Sequence, residues 1–220
     1  MAFETSHTEV EARLLADAVV RDARVLEAGC GRTTRLTAYR DRIAFLVGVD
    51  VDADAGRENA ALDRFVAADL CDRLPFDAAM FDLVYANFVL EHLRAPADAF
   101  HEWRRVLRPG GSLVLLTSNR ANPLLWTGAL LPHRARVALK RLGPQAVERD
   151  VIPAAYLANT PKRLSRLLED AGFSAVSVAY VATLHRYAGE RTLLAVALRA
   201  LERALPPRLR ATIVAWYRAR

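Results

Sequence analysis

Cysteine, lysine and long uncharged stretches are all scarce in this chain, and each scarcity excludes something. Cys30 and Cys71 are the only cysteines among 220 residues. They give no metal-ligand or disulfide spacing, and such usage fits a reducing compartment. The longest run without Lys, Arg, Asp or Glu is the 15 residues from Ala171 to His185. That is short of the roughly 18 needed for a membrane-spanning helix. The opening MAFETSHTEVEARLL brings acid early and no apolar core, unlike a secretory signal. A cytoplasmic protein with no transmembrane segment is expected. No internal repeat or low-complexity tract appears, so 1–220 reads as a single domain.

Lysine is confined to Lys140 and Lys162, so arginine carries the positive charge. The net charge of +6 hides an asymmetry: residues 1–118 hold 14 basic and 19 acidic side chains, residues 119–220 hold 17 and 6. A basic half suits nucleic acid, an anionic membrane surface or an anionic substrate.

What is present is an alternation of apolar runs with helical patterns. Strands are expected at Arg24–Ala28, Phe45–Asp50, Arg64–Ala68, Phe81–Asn87, Ser112–Thr117, Phe173–Val181 and Ala211–Tyr217. Segments of helical composition lie between the first five. In Pro96–Leu107, Phe100, Trp103 and Leu107 share one face while Arg104, Arg105 and Arg108 turn outward, and Arg108-Pro109-Gly110-Gly111 stops the helix. Thr160, Pro161 and Gly172 are placed to cap, start and close another helix. The pattern predicts an α/β fold with a mostly parallel sheet covered on both faces. Two segments break it, 119–159 and 182–210. In the second, leucines at 194, 198, 201 and 205 lie on one helical face that Pro206-Pro207 ends.

The chemistry gathers at strand ends. Val25-Leu26-Glu27-Ala28-Gly29-Cys30-Gly31 runs a strand into an acid and two glycines, a turn that lets backbone approach a ligand. A dinucleotide fingerprint would place glycine or alanine at position 34, where Thr34 stands. Glu27 also suits a cationic ligand better than a pyrophosphate. Asp50 ends the second strand, 19 residues beyond Gly31, near the position of a ribose-binding carboxylate. Asp69-Leu70 ends the third, where an acid can accept from an adenine amino group and a backbone N–H can donate to the ring. Any one of these acids alone would read as a loop cap.

Taken in order, VLEAGCG, VGVDVD, AADLCDRLPF, FDLVYANFVLEHL and EWRRVLRPGGSLVLLT resemble the class I S-adenosylmethionine-dependent methyltransferases, over about 23–118 and more weakly over 159–173. The resemblance implies a seven-stranded Rossmann-like sheet with helices on both faces and an antiparallel last strand. Its core would be 23–118, 159–181 and 211–217, with lid insertions after the fifth and sixth strands. It implies S-adenosyl-L-methionine as cofactor. Glu27, Gly29, Cys30 and Gly31 would hold the methionine part, Asp50 with Val51 the ribose, Asp69 with Leu70 the adenine, and Asn87 would sit near the methionine and the acceptor. Thr33 departs from the pattern, since many relatives carry a third glycine there.

Transfer from a sulfonium is an in-line displacement that alignment alone can greatly accelerate. A base is needed only where the acceptor must lose a proton. His92 is the one candidate base, and packing of Glu91-His92-Leu93 is the plainer account of it. No metal is expected, because Phe88 stands where metal-using relatives carry a carboxylate. Trp126, Tyr156, His185 and Tyr187 are candidate acceptor-lining residues, or else anchors of their loops. The expected acceptor is a small molecule, anionic or lipid-like, methylated at O, N or C. Peripheral membrane contact through 182–210 is compatible with its leucines and its arginines at 191, 199, 203, 208 and 210. No nucleic acid partner is expected: Asn87 is followed by Phe-Val-Leu rather than Pro-Pro-Tyr. The rival readings are a non-catalytic cofactor-binding partner protein and a nucleic-acid methyltransferase.

Overall fold

A computed structural model describes residues 6–125, 154–188 and 192–220. Its elements run α1 (His7–Ala18), β1 (Ala23–Ala28), a 3-10 segment (Leu36–Arg42), β2 (Ile43–Asp50), α2 (Ala53–Glu58), β3 (Arg64–Ala67), β4 (Phe81–Asn87), α3 (Pro96–Val106) and β5 (Leu107–Ser118). After the second described segment begins come α4 (Pro161–Asp170), β6 (Phe173–Val181), a 3-10 turn (Leu184–Ala188), α5 (Leu193–Ala204), a 3-10 turn (Pro207–Leu209) and β7 (Thr212–Ala219).

The seven strands form one sheet in the order β3-β2-β1-β4-β5-β7-β6, and β7 runs antiparallel to both of its neighbours. Both faces are covered, which is why β1 and β4 are nearly continuous apolar runs. Alternate residues go to opposite faces. Leu26, Val84 and Leu113 join Phe100, Trp103, Leu164 and Leu168 on the side of α3 and α4. Val25, Leu83, Tyr85 and Val114 join Leu14, Leu15 and Ala18 of α1 on the other.

Caps set the helix ends. Ser6 accepts from the Glu9 N–H at 3.1 Å while its own N–H donates to the Glu9 carboxylate at 2.8 Å, a capping box that starts α1. Thr160 accepts from the Arg163 N–H, Pro161 opens α4, and Gly172 follows it at φ +91, as the sequence predicts.

Some connections differ from expectation. Between β1 and β2 the chain makes only 3-10 turns, in which Leu36 alone is buried, too narrow an apolar face to hold a helix against the sheet. Between β3 and β4 no helix forms. Leu70, Leu74 and Phe76 instead plug the core individually, and Glu102 of α3 accepts from the Leu74 N–H at 2.8 Å. The Arg108–Gly111 run does not separate helix from strand. Leu107 already pairs with Phe81 and Ser112 pairs with Leu83, so the four residues bulge out of β5, with Gly110 at φ +75. Arg105 does not simply face water, since it pairs with Glu102 and donates to the Leu74 and Phe76 carbonyls.

On α5 the buried positions are Ala195 and Glu202 rather than the leucine stripe, and Leu194 and Leu201 are 43% and 55% exposed. Glu202 dictates this orientation. Its carboxylate accepts from the Leu184 N–H at 2.9 Å, the Ala211 N–H at 2.6 Å and the Asn122 amide at 3.3 Å, tying together three loops at one sheet edge. Burial raises its pKa.

Candidate functional site

Four parallel strands end side by side, and beyond their carboxyl ends opens a cleft of about 540 Å³, where an open α/β sheet binds its ligands. Gly29, Gly31, Asp50, Val51, Asp69, Leu70, Asn87 and His92 of the expected set line it. The loop after β1 begins with the Gly29 N–H on the Val49 carbonyl at 2.8 Å. Gly29 has φ +70, and a Cβ there would lie 1.9 Å from a methyl of Val89. Glycine is therefore required twice, by the backbone and by the neighbour.

Asp50 closes the turn. One carboxylate oxygen accepts from the Gly31 N–H and the other from the Asp52 N–H, both at 2.9 Å. Asp52 in turn caps α2 through the Asp54 and Ala55 N–H groups. Asp69 accepts from the Cys71 N–H at 2.8 Å and from Arg94 Nε at 2.9 Å, and these two bonds lower its pKa.

Glu27, near the end of β1 before the glycine loop, is 4% exposed and is not among the residues that line the cleft. Burial pushes its carboxyl up to about 8, with the neighbouring charges of Asp50 and Glu11 adding to the rise and a bond to Thr34 opposing it. One of its oxygens, Oε2, has no hydrogen-bond partner, nor has Oδ1 of Asn87. Two buried acceptors without donors call for a ligand that brings donors or positive charge. An α-ammonium and a sulfonium, as in S-adenosylmethionine, meet that need, so the residues present fit the implied cofactor.

Not every expected residue joins this cleft. Cys30 does not line it: its thiol lies against Gly48, its backbone pairs with Val49 and Asn59, and burial raises the thiol pKa to about 12. Tyr156 has φ +53 and packs under the Arg120 guanidinium, 4.7 Å from the ring centre, with its N–H on the Glu91 carbonyl. His185 is buried beside Arg199, with 3.0 Å between Nε2 and the guanidinium. Tyr187 belongs to the turn Leu184–Ala188, and Trp126 lies outside the described residues. Glu91 is a strap: it accepts from the Ser118 N–H at 2.7 Å, and its carbonyl accepts from Ala155 and Tyr156. Sequence reasoning missed Arg32, Asp52, Val89 and Arg94 in the lining. It had Phe88 only as a missing carboxylate, whereas Phe88 holds φ +52 at the cleft edge.

A family profile described as "Methyltransferase domain" matches residues 26–115. The chain is 31% identical over 188 residues to the demethylmenaquinone methyltransferase of Clavibacter sepedonicus, covering 78% of this chain and 75% of that one. It is 37% identical over 121 residues to the malonyl-[acyl-carrier protein] O-methyltransferase of Enterobacter lignolyticus, covering 50% of this chain and 47% of the other. The chain thus spans about half the length, or less, of the malonyl-[acyl-carrier protein] O-methyltransferases it matches. Among solved structures, the geranyl diphosphate C-methyltransferase of Streptomyces coelicolor has a TM-score of 0.64 at 15% identity, over 96% of this chain and 77% of that one.

Proposed function

Because the chain belongs to the class I S-adenosylmethionine-dependent methyltransferases, we propose that it transfers the sulfonium methyl group of that cofactor to a small, anionic or amphiphilic acceptor. The observation that carries this reading is the unpartnered buried oxygen of Glu27, in the strand that leads into a glycine turn that Asp50 holds closed. In it, Glu27 balances the positive charge of the methionine part, with Asn87 accepting beside it. Asp50, already aimed by two N–H groups, accepts from ribose hydroxyls alongside Val51. Asp69, held by Cys71 and Arg94, faces the adenine beside Leu70. When bound, the cofactor supplies an activated methyl carbon, and the residues of this chain bind and orient. His92 lines the cleft and is the candidate to receive a proton where the acceptor must lose one.

Three things support an anionic or amphiphilic acceptor. Residues 119–220 hold 17 basic against 6 acidic side chains. Relatives are named for malonyl-[acyl-carrier protein] and demethylmenaquinone, and a structural neighbour for geranyl diphosphate. The exposed leucines of α5 also suit contact with a membrane surface. The test is turnover of S-adenosylmethionine over a metabolite extract, with mass spectrometry for a gain of one methyl group. Extract-dependent formation of S-adenosylhomocysteine is expected. Failure to bind either form of the cofactor in calorimetry overturns the reading.

A further inference from the structure

Across Phe88 from the cofactor cleft lies a second cluster with an excess of positive charge. His7 opens α1, is 5% exposed, and meets the Phe88 ring edge-on at 6.4 Å. The Arg186 guanidinium, from the turn after β6, lies 3.1 Å from Nδ1 and 3.2 Å from Nε2 of His7. Arg35 approaches from the loop after β1, and Arg199 of α5 reaches His185 from the far side. Among the described residues two carboxylates are nearby, and both are committed. Glu11 takes Arg35 at 3.0 Å on one oxygen and the Tyr85 hydroxyl on the other. Glu202 spends its oxygens on the backbone N–H groups of Leu184 and Ala211. Among the described residues no ion pair engages Arg186, whose recorded partner is a neutral ring.

The imidazole itself reports the excess. Burial, then Arg186, Arg35 and His185, hold the pKa of His7 down to about 4. Near neutrality it therefore adds no charge of its own and serves as a wall that positions Arg186. A guanidinium set this way, exposed on its open side and with no anionic partner among the described residues, is suited to take a planar or tetrahedral oxyanion in a forked pair of hydrogen bonds.

Resting on the methyl-transfer reading, we propose that Arg186, seated on His7 and backed by Arg35, is an oxyanion subsite for the methyl acceptor. It receives a carboxylate or phosphate group while the reacting atom reaches past Phe88 toward Asn87. Position favours this role: α1, the end of β4 and the turn after β6 converge at the carboxyl edge of the sheet.

The experiment uses the full chain loaded with S-adenosylhomocysteine, whose binding is measured first by calorimetry. Inorganic phosphate and malonate are then titrated in separate arms, following the His7 imidazole by NMR. Saturable binding of at least one probe is expected, and the better arm tells phosphate from carboxylate. Arg186→Gln should weaken that binding about tenfold or more, as befits loss of a hydrogen bond to a charged group. Arg186→Lys, which keeps the charge but not the fork, should fall between and guards against loss of fold. Arg166→Gln, at the exposed pair with Asp170 on α4, should leave it unchanged. Normal binding of S-adenosylhomocysteine with no saturation by either probe overturns the subsite alone. So does equal weakening in the Arg166 and Arg186 variants. No binding of S-adenosylhomocysteine overturns the underlying reading, and the acceptor role with it.

Discussion

Glu27 sets the function of the cleft against the stability of the fold, and the two can be measured separately. Its carboxyl is raised to about 8 from an ordinary 4.5, chiefly by burial. In the folded chain it is therefore neutral where the unfolded chain would ionise. The stabilisation this gives is fully present below about pH 4.5 and is lost as pH rises through about 8. At about 1.36 kcal/mol per decade, the separation of the two values corresponds to about 5 kcal/mol at the upper limit. Wild type without cofactor should lose stability across that window, and Glu27→Gln, which cannot ionise, should not. Chemical denaturation of both proteins at about pH 5 and about pH 8 isolates the side chain, because other titrations cancel in the difference. The glutamine variant should gain on wild type by several kcal/mol at the higher pH. A cationic cofactor has the opposite preference and favours the carboxylate. Its binding to wild type should tighten by up to about tenfold per unit of pH up to about 8, with proton release, and the variant should show neither. An equal effect of the substitution on stability at both pH values would refute this reasoning.

Asp50→Ala should weaken S-adenosylhomocysteine binding by about 1.5–3 kcal/mol, the range for hydrogen bonds to a charged group. Unchanged affinity in calorimetry removes Asp50 from the ribose. Gly29→Ala should both destabilise the fold and abolish cofactor binding, because its Cβ would lie 1.9 Å from Val89 on a backbone with φ +70. A variant with the wild-type melting temperature and affinity would show the loop to be more pliable than drawn. Turnover, once an acceptor is in hand, should persist in a chelator. Loss restored by magnesium would show a metal requirement despite Phe88. Anionic vesicles should co-sediment the chain at low salt and release it at high salt through the leucines and arginines of α5. No binding at low salt removes membrane contact.

Much of the sheet was legible because the centres of β1, β2, β4 and β5 are buried on both faces and are mostly apolar there. The strand-end acids were legible for a related reason, since charge after such a run needs an explanation. The connections were less so: composition alone does not tell a helix from the side chains at 68–80 that fill the core singly. Leucine periodicity in α5 marked a distinct face without saying whether it turned inward. The deciding group was an acid, Glu202, whose partners Leu184 and Ala211 are remote in any helical pattern. Gly29 could be recognised as a turn, but the Val89 methyl that forbids a side chain lies 60 residues away. The pairing of Arg94 with Asp69 bridges two loops and leaves no periodic trace.

The stretch between β6 and β7 leaves the sheet at Val181 and returns at Thr212, which are paired directly across the two strands, with the Thr183 and Thr212 hydroxyls 2.7 Å apart. The ends of this excursion are thus separated by about one strand spacing, roughly 4.8 Å. Loop-closure entropy grows only slowly with length when the ends are held together. Such a segment behaves as a cassette: its length and sequence can change while β6 and β7 keep their register, provided the bonds of Glu202 to Asn122, Leu184 and Ala211 are kept. Evolution, or an engineer, is free to rewrite the surface carrying Arg186 and α5 without reopening the core that holds Glu27 and Asp50.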